Sequence, residues 1–268
     1  MPNQPIYQVD AFTSTLFRGN PAAVCPLEDW LPVETMQSIA SENNLSETAF
    51  FCRQGAQGGA DFHLRWFTPE TEVQLCGHAT LASAHVLFEP MAYAGEAVRF
   101  STEHAGILTA RRAEGGMIRV DLPARGREKI AVPPELVAAL GRSPQELYRS
   151  GYNLMAVFEN KRDVHELAPS ADRLRKLDAF GVIVTAPGAS HDFISRYFAP
   201  KAGVVEDPVT GSAHCSLAPY WGERLGKTDL TAHQVSKRGG ELRCTLEGDR
   251  VGLTGGAVMY MQGAISTG

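Results

Sequence analysis

The chain has 268 residues, 44% of them hydrophobic and 21% charged, with a formal net charge of −5. This composition excludes wholesale disorder, and the length allows one large domain or two small ones with ample apolar material for a core. The mildly acidic balance argues against nucleic acid or an anionic membrane as partner, and no apolar run approaches the roughly 18 residues of a membrane span.

In chain order, Met1-Pro2-Asn3-Gln4-Pro5 has neither a basic head nor a long apolar stretch, so no signal peptide is expected and the protein reads as cytoplasmic. Ile6–Phe12 alternates and predicts a strand. Pro32–Asn43 predicts a helix, with proline in its first turn, Val33, Met36, Ile39 and Ala40 on one face, and Asn43-Asn44 as its stop. Thr48–Cys52 and Phe62–Phe67 read as strands. The run from His78 is apolar or small on nearly every face and predicts a helix buried all round. Val98–Leu122 reads as strands with a turn at Glu114-Gly115-Gly116. Helical pieces are expected at Pro134–Leu140, Pro144–Tyr148 and Ala171–Leu177, and strands at Leu154–Phe158, Val182–Thr185 and Phe193–Phe198. A second apolar segment starts at Ser212, where Pro219 should kink or shorten it, and strands run from Leu242 to Met261. Gly55–Gly59 and Gly252–Gly256 read as turns. No βαβ rhythm and no glycine-rich nucleotide signature stands out, so nucleotide cofactors are not indicated.

The chain repeats itself. Asp61-Phe62-His63-Leu64-Arg65-Trp66-Phe67-Thr68-Pro69 matches Asp192-Phe193-Ile194-Ser195-Arg196-Tyr197-Phe198-Ala199-Pro200 at an offset of 131. Cys76-Gly77-His78-Ala79 aligns with Thr210-Gly211-Ser212-Ala213 at 134, and Asn20-Pro21-Ala22-Ala23-Val24 with Asn153-Leu154-Met155-Ala156-Val157 at 133. Such a pattern predicts two pseudo-symmetric lobes, 1–124 and 125–268, with the last strand a candidate to return to the first lobe. Each lobe is expected to be α+β, offering several strands and one helix buried all round, and the simplest packing wraps a curved sheet around that helix. A cleft between such lobes is a favoured ligand site.

Each buried helix begins at a glycine. The first turn of a helix carries free N–H groups and partial positive charge, so Gly77 and Gly211 are candidates to hold a carboxylate, or they simply permit tight turns. Cys76 and Thr210 occupy equivalent positions before them. A thiol at a helix start can act as a base, but a threonine cannot, which excludes a symmetric pair of thiols. Glu47 opens an apolar strand; it is either solvent-exposed or a carboxylate tuned for acid–base work. Asp207 binds ligand, caps the helix or closes a turn. His78 donates to substrate or bonds to backbone. The five cysteines, Cys25, Cys52, Cys76, Cys215 and Cys244, are scattered without a CxxC pair and suit reduced thiols. His78 and His85 lie seven apart with no Asp, Glu or Cys completing a set at ligand spacing, so no metal is expected.

Asp10-Ala11-Phe12-Thr13, Gly19-Asn20-Pro21-Ala22-Ala23-Val24, Ser46-Glu47-Thr48-Ala49-Phe50, Cys76-Gly77-His78-Ala79-Thr80 and Glu206-Asp207-Pro208-Val209-Thr210-Gly211-Ser212-Ala213 resemble, in order, the signature segments of the phenazine-biosynthesis PhzF-like family. The resemblance implies the diaminopimelate-epimerase-like fold, two lobes each a barrel-like, mostly antiparallel sheet around a central helix, and a cofactor-independent isomerase, usually a homodimer, that moves a proton between carbons of a small carboxylate-bearing metabolite. It places Glu47 at the general acid/base position and His78, Asp207 and Ser212 at substrate-binding and proton-relay positions. The backbones of Gly77 and Gly211 fall on the carboxylate contacts, with Cys76, Thr210 and Asn20 as further substrate-binding candidates. Cys76 matches the diaminopimelate epimerases at that point, whereas Thr210 replaces their second cysteine. Two alternatives stay open: an amino- or hydroxy-acid racemase or epimerase using Cys76 with a second base, and a non-catalytic small-acid binding or interaction module.

Overall fold

A computed structural model describes residues 3–267; Met1 and Pro2, part of the segment read for a targeting signal, lie outside it. The chain divides into two compact units, Met1–Leu122 with Gly252–Gly268, and Pro123–Val251. The first holds β1 (Asn3–Ala11), β2 (Asn20–Leu27), α1 (Val33–Asn43), β3 (Glu47–Cys52), β4 (Phe62–Phe67), β5 (Glu72–Val73), α2 (Gly77–Phe88), β6 (Ala97–Ser101), β7 (Ile107–Arg112) and β8 (Ile118–Pro123). The second holds β9 (Glu128–Ile130), α3 (Pro134–Leu140), β10 (Glu146–Ser150), β11 (Asn153–Val157), α4 (Lys161–Glu166), α5 (Ala171–Arg175), β12 (Gly181–Pro187), β13 (Phe193–Ala199), β14 (Val204–Asp207), α6 (Gly211–Leu225), β15 (Asp229–Gln234) and β16 (Gly240–Glu247). After β17 (Arg250–Gly255), β18 (Ala257–Ser266) rejoins the first unit, pairing antiparallel with β1 from Asn3↔Ser266 to Ala11↔Ala257.

The duplicated sequence is visible as duplicated topology. In the first unit β1 is antiparallel to β2, β2 crosses through α1 to parallel β3, β3 is antiparallel to β4, and β4 pairs with β5 and, in parallel, with β6. In the second, β10, β11, β12, β13, β14 and β15 repeat that series pair for pair. Each unit therefore contains two parallel connections through helices, contrary to the expectation of none: β2 to β3 through α1 and β4 to β6 through α2 in the first, β11 to β12 through α4 and α5 and β13 to β15 through α6 in the second. Those through α1, α4 and α5 escape sequence inspection because α1 buries little and α4 and α5 are short and largely polar.

The sheet of each unit wraps its long helix. α2 touches β1, β2, β3, β7 and β18, and all its residues but His85 are buried, as its uniformly apolar composition requires. α6 packs on β15 and β16, stacks Trp221 on Phe193 and donates the Trp221 indole N–H to Thr185 at 2.9 Å. Helix α1 ends on Asn44 in the left-handed conformation (φ 48°), whose N–H returns to Ala40. Met36 and Ala40 face inward, but Val33 is 45% exposed.

Three local expectations fail for identifiable reasons. Pro219 does not shorten α6, which runs on to Leu225. A proline withholds the N–H that the carbonyl four residues back would accept; here the Cys215 carbonyl instead accepts the Arg125 N–H at 2.9 Å. Pro144–Tyr148 is not helical: Glu146–Ser150 is β10, whose backbone groups are engaged by β9 and β11 on its two sides. Gly252–Gly256 is not a turn, because Gly252 and Gly255 lie within β17. A Cβ at Gly252 would meet the Arg119 guanidinium at 2.4 Å, and one at Gly255 the Phe12 ring at 2.5 Å, so these glycines permit close approach. Strands β2, β5, β9, β14 and β15 and helix α4 are not predicted from the sequence. No helix among the described residues is long and apolar enough to cross a membrane.

Candidate active site

In the first unit, topology gathers the reactive side chains. Because β2 and β3 run parallel, with Ala22 opposite Glu47, their first residues, Asn20 and Glu47, emerge at the same end of the sheet. The loop that delivers Asn20 is tightly held. Asp10 Oδ2 accepts the Phe17 N–H at 2.8 Å, and Gly19 (φ +63°) passes so close to the Ala11 carbonyl that a Cβ would lie 2.1 Å from it. Helix α2 begins directly after Cys76, and no side chain at its head caps it.

His78 lies at the centre. Its Nδ1 is 3.1 Å from Asn20 Nδ2 and 3.4 Å from Cys76 Sγ, and its Nε2 is 3.3 Å from Glu47 Oε2. The imidazole is 2% exposed, the Glu47 side chain 16%. Burial pushes the His78 pKa down to about 3, so the ring is neutral near pH 7. An amide nitrogen only donates, so with the Asn20 carboxamide in this orientation Nδ1 is the acceptor and the ring proton sits on Nε2, beside Glu47. The 3.3 Å separation is that of an ion pair, but its alignment falls short of a hydrogen bond. With the ring neutral, it is an imidazole against a carboxyl group and not a salt bridge. One ligand-type atom each of Glu47, Cys76 and His78 lies within 4.8 Å of the other two. His85 takes no part in this cluster.

The second unit builds its counterpart from uncharged groups and one carboxylate. Asp207 ends β14, is buried, and accepts the Thr210 hydroxyl. Gln234 clamps this turn: its Oε1 accepts the Thr210 N–H at 2.8 Å, and its Nε2 donates to the Asp207 carbonyl at 2.7 Å and to Thr210 Oγ1 at 3.1 Å. Ser236 Oγ donates to the Pro208 carbonyl at 2.8 Å. Ser212, half-buried, is the second residue of α6. His214 is fully buried, donates from Nδ1 to the Thr210 carbonyl at 2.8 Å, and is pushed down to about 4 by burial.

The fold thus brings Asn20, Glu47, Cys76, Gly77 and His78 together in the first unit, and Asp207, Thr210, Gly211 and Ser212 in the second. Asn20, expected at the substrate, has its amide on His78. Gly77 and Gly211 are already helical and neither has a positive φ, so a left-handed turn does not account for them. Sequence reasoning missed Gln234, which sits at the end of an unforeseen strand, and His214, whose only signal is its place four residues after Thr210.

Residues 9–263 match the PhzC-PhzF family, described as phenazine biosynthesis-like protein. The chain is 50% identical over 260 residues to an uncharacterized isomerase of Pseudomonas aeruginosa, covering 97% of this chain and 98% of that protein. It superposes on the crystal structure of a PhzF-family phenazine biosynthesis protein from Enterococcus faecalis with a TM-score of 0.90 at 47% identity, over 99% of this chain and 100% of that one. A hydroxyproline epimerase from Agrobacterium vitis, 12% identical, shares the fold alone, with a TM-score of 0.65 over 100% of this chain and 92% of that one.

Proposed function

The chain belongs to the PhzC-PhzF family of phenazine biosynthesis-like proteins, an isomerase family, and from this we propose that it is a cofactor-independent isomerase moving a proton between carbons of a small carboxylate-bearing substrate. Glu47 takes a proton from a carbon activated by a neighbouring carboxylate or unsaturation and returns one to another carbon. Neutral His78 presents its Nε2–H to the Glu47 carboxylate while Asn20, acting through His78, fixes that tautomer. The N–H groups at Gly77 and Gly211 bind carboxylate, and Asp207, Thr210 and Ser212 bind the remainder of the substrate. The same family resemblance supports a homodimer in the cytoplasm; light scattering on the purified protein tests the former.

The observation that carries this reading is the Glu47 carboxyl 3.3 Å from a buried, neutral imidazole. General acid–base catalysis supplies roughly 10²–10⁴-fold, and positioning must supply the rest. The experiment is a screen of small carboxylic acids in D₂O, with deuterium incorporation read by mass spectrometry and the Glu47→Gln protein as control. Label entering with wild type alone is expected. Equal incorporation by a folded Glu47→Gln protein overturns the assignment, and binding without any exchange favours the non-catalytic module.

One observation favours a second reading. Cys76 is gathered into the same cluster as Glu47, as a racemase or epimerase with two different bases requires. Deuterium at a single inverted chiral carbon selects it over a proton shift between carbons.

A further inference from the structure

We propose that Leu16 and Phe17 of the β1–β2 loop, with Tyr260 and Met261 of β18, form the face on which a second copy of this chain seats, and that this contact steadies Asn20 against His78. The inference rests on the homodimer reading above and adds to it a surface and a link to the site. All four side chains stand in water: Phe17 is 65% exposed, Tyr260 49%, Met261 41% and Leu16 40%. The Phe17 and Tyr260 rings meet edge to face, their centroids 5.7 Å apart, so the loop and the strand make one patch. Two irregularities of the backbone present it. Met259 lies opposite Val9 and Met261 opposite Gln8, so Tyr260 is the extra residue of a β-bulge, a device that re-aims a side chain. Phe17 is left-handed, with φ 68°, an outlier for a bulky residue. Strain of this kind persists where it serves a contact, and an aromatic ring so presented gains when it is covered.

Charge and size identify the occupant. Ala257–Ser266 contains no charged residue, in a chain that is 21% charged, so the strand offers nothing that selects a nucleic acid or a charged membrane. Each copy carries a net charge of −5, and two of them approach at least electrostatic cost through an uncharged face. The four apolar side chains expose on the order of 400 Å², the size of patch that marks an interaction site. With Gln262, Gly263 and Ala264, which are also exposed, the face approaches the about 800 Å² that each partner of a standard interface buries. A two-fold axis sets this patch against itself, the isologous arrangement of most homodimers. The link to the site runs along the chain. Phe17 is pinned by its N–H to Asp10, Gly19 is wedged against the Ala11 carbonyl, and Asn20 follows with its amide 3.1 Å from His78 Nδ1. The segment between has little slack, so covering Phe17 also fixes Asn20.

The test is light scattering and sedimentation of the full chain across micromolar concentrations, with amide hydrogen exchange on the same samples. Wild type should run at twice the 29.0 kDa of one chain. Phe17→Asn removes the ring and suits the left-handed backbone; Met261→Glu adds a like charge to the face of both copies. Each should raise the dimer dissociation constant by about thirtyfold or more, with an unchanged circular dichroism spectrum. Leu225→Ser, at an exposed leucine of the second unit, should leave the constant as it was. In the Met261→Glu monomer the Arg18, Gly19 and Asn20 amides should exchange faster than in wild type. A wild-type dimer that both variants leave intact overturns the face while the homodimer reading stands. A wild-type monomer overturns both, and one that also floats with phosphatidylcholine vesicles shows a lipid in place of the second copy. Unchanged exchange at Arg18–Asn20 in a folded monomeric variant overturns the link to Asn20. Should Met261→Glu fail to fold, Phe17→Asn decides on both readouts.

Discussion

At the head of α2 the first unit sets Cys76, Gly77 and His78; at the head of α6 the second sets Thr210, Gly211 and Ser212. The backbone is the same in both, and so is the bond that closes the first turn. Thr80 Oγ1 reaches the Cys76 carbonyl at 2.6 Å, and His214 Nδ1, at the equivalent position, reaches the Thr210 carbonyl at 2.8 Å. The strand opposite differs more. Thr48 pairs with Phe67 and Val182 with Phe198, so Glu47 corresponds to Gly181. A Cβ on Gly181 would lie 2.3 Å from the Tyr197 hydroxyl, which donates to Asn153 at 3.0 Å. Where one copy carries a carboxyl, a thiol and an imidazole, the other carries a glycine, a threonine and a serine. Duplication has preserved the frame while the titratable groups of the cluster collect in one half.

The sharpest way to break this contrast is Glu47→Gln, which should reduce turnover by about 10²–10⁴-fold with an unchanged melt. Loss of folding instead would make the carboxyl a structural group. Next in size is acid sensitivity. His78 and His214 are held at about 3 and about 4 in the fold against an ordinary 6.5, so the unfolded chain binds more protons below pH 6.5. Their stabilising contribution is complete above pH 6.5 and drains away toward pH 4, by up to about 1.4 kcal/mol per pH unit for each. Urea midpoints measured from pH 7 to pH 4 check this, and His214→Thr, which installs the residue of the first unit, should flatten the slope by about half.

Gly181→Ala should cost about 1–3 kcal/mol through overpacking against Tyr197. Gly181→Ala combined with Tyr197→Phe should recover part of that loss in a double-mutant cycle, and strict additivity would refute the clash. Smallest is Pro219→Ala. The Cys215 carbonyl is satisfied with or without the proline, so stability should stay within about 1 kcal/mol, while the Arg125 amide, now competing with a helical N–H, exchanges its hydrogen faster.

The two copies also differ in how openly their sequences declare them. Phe62–Phe67 and Pro134–Leu140 are read to the residue because their apolar periodicity and flanking prolines act locally. The β10 strand is hidden because pairing on both its edges, not its own propensity, decides it. Within the site, Cys76-Gly77-His78 and Asp207 through Ser212 stand in contiguous motifs and are legible. That Glu47 meets His78 depends on the parallel register of β2 and β3, which no local pattern encodes. Gln234 is invisible for the same reason: its importance comes from the turn it reaches.

The return of β18 has a consequence for biosynthesis. Strand β1 lies between β2 on one edge and β18 on the other, and the whole second unit is translated between those partners. On the ribosome, Pro123–Val251 is a continuous segment able to collapse as soon as it emerges. The earlier segment, which bears Glu47 and His78, waits with a bare β1 edge until Ala257–Ser266 arrives. Nascent chains halted before Ala257 should therefore be the aggregation-prone species, since an unpaired edge invites pairing with another chain.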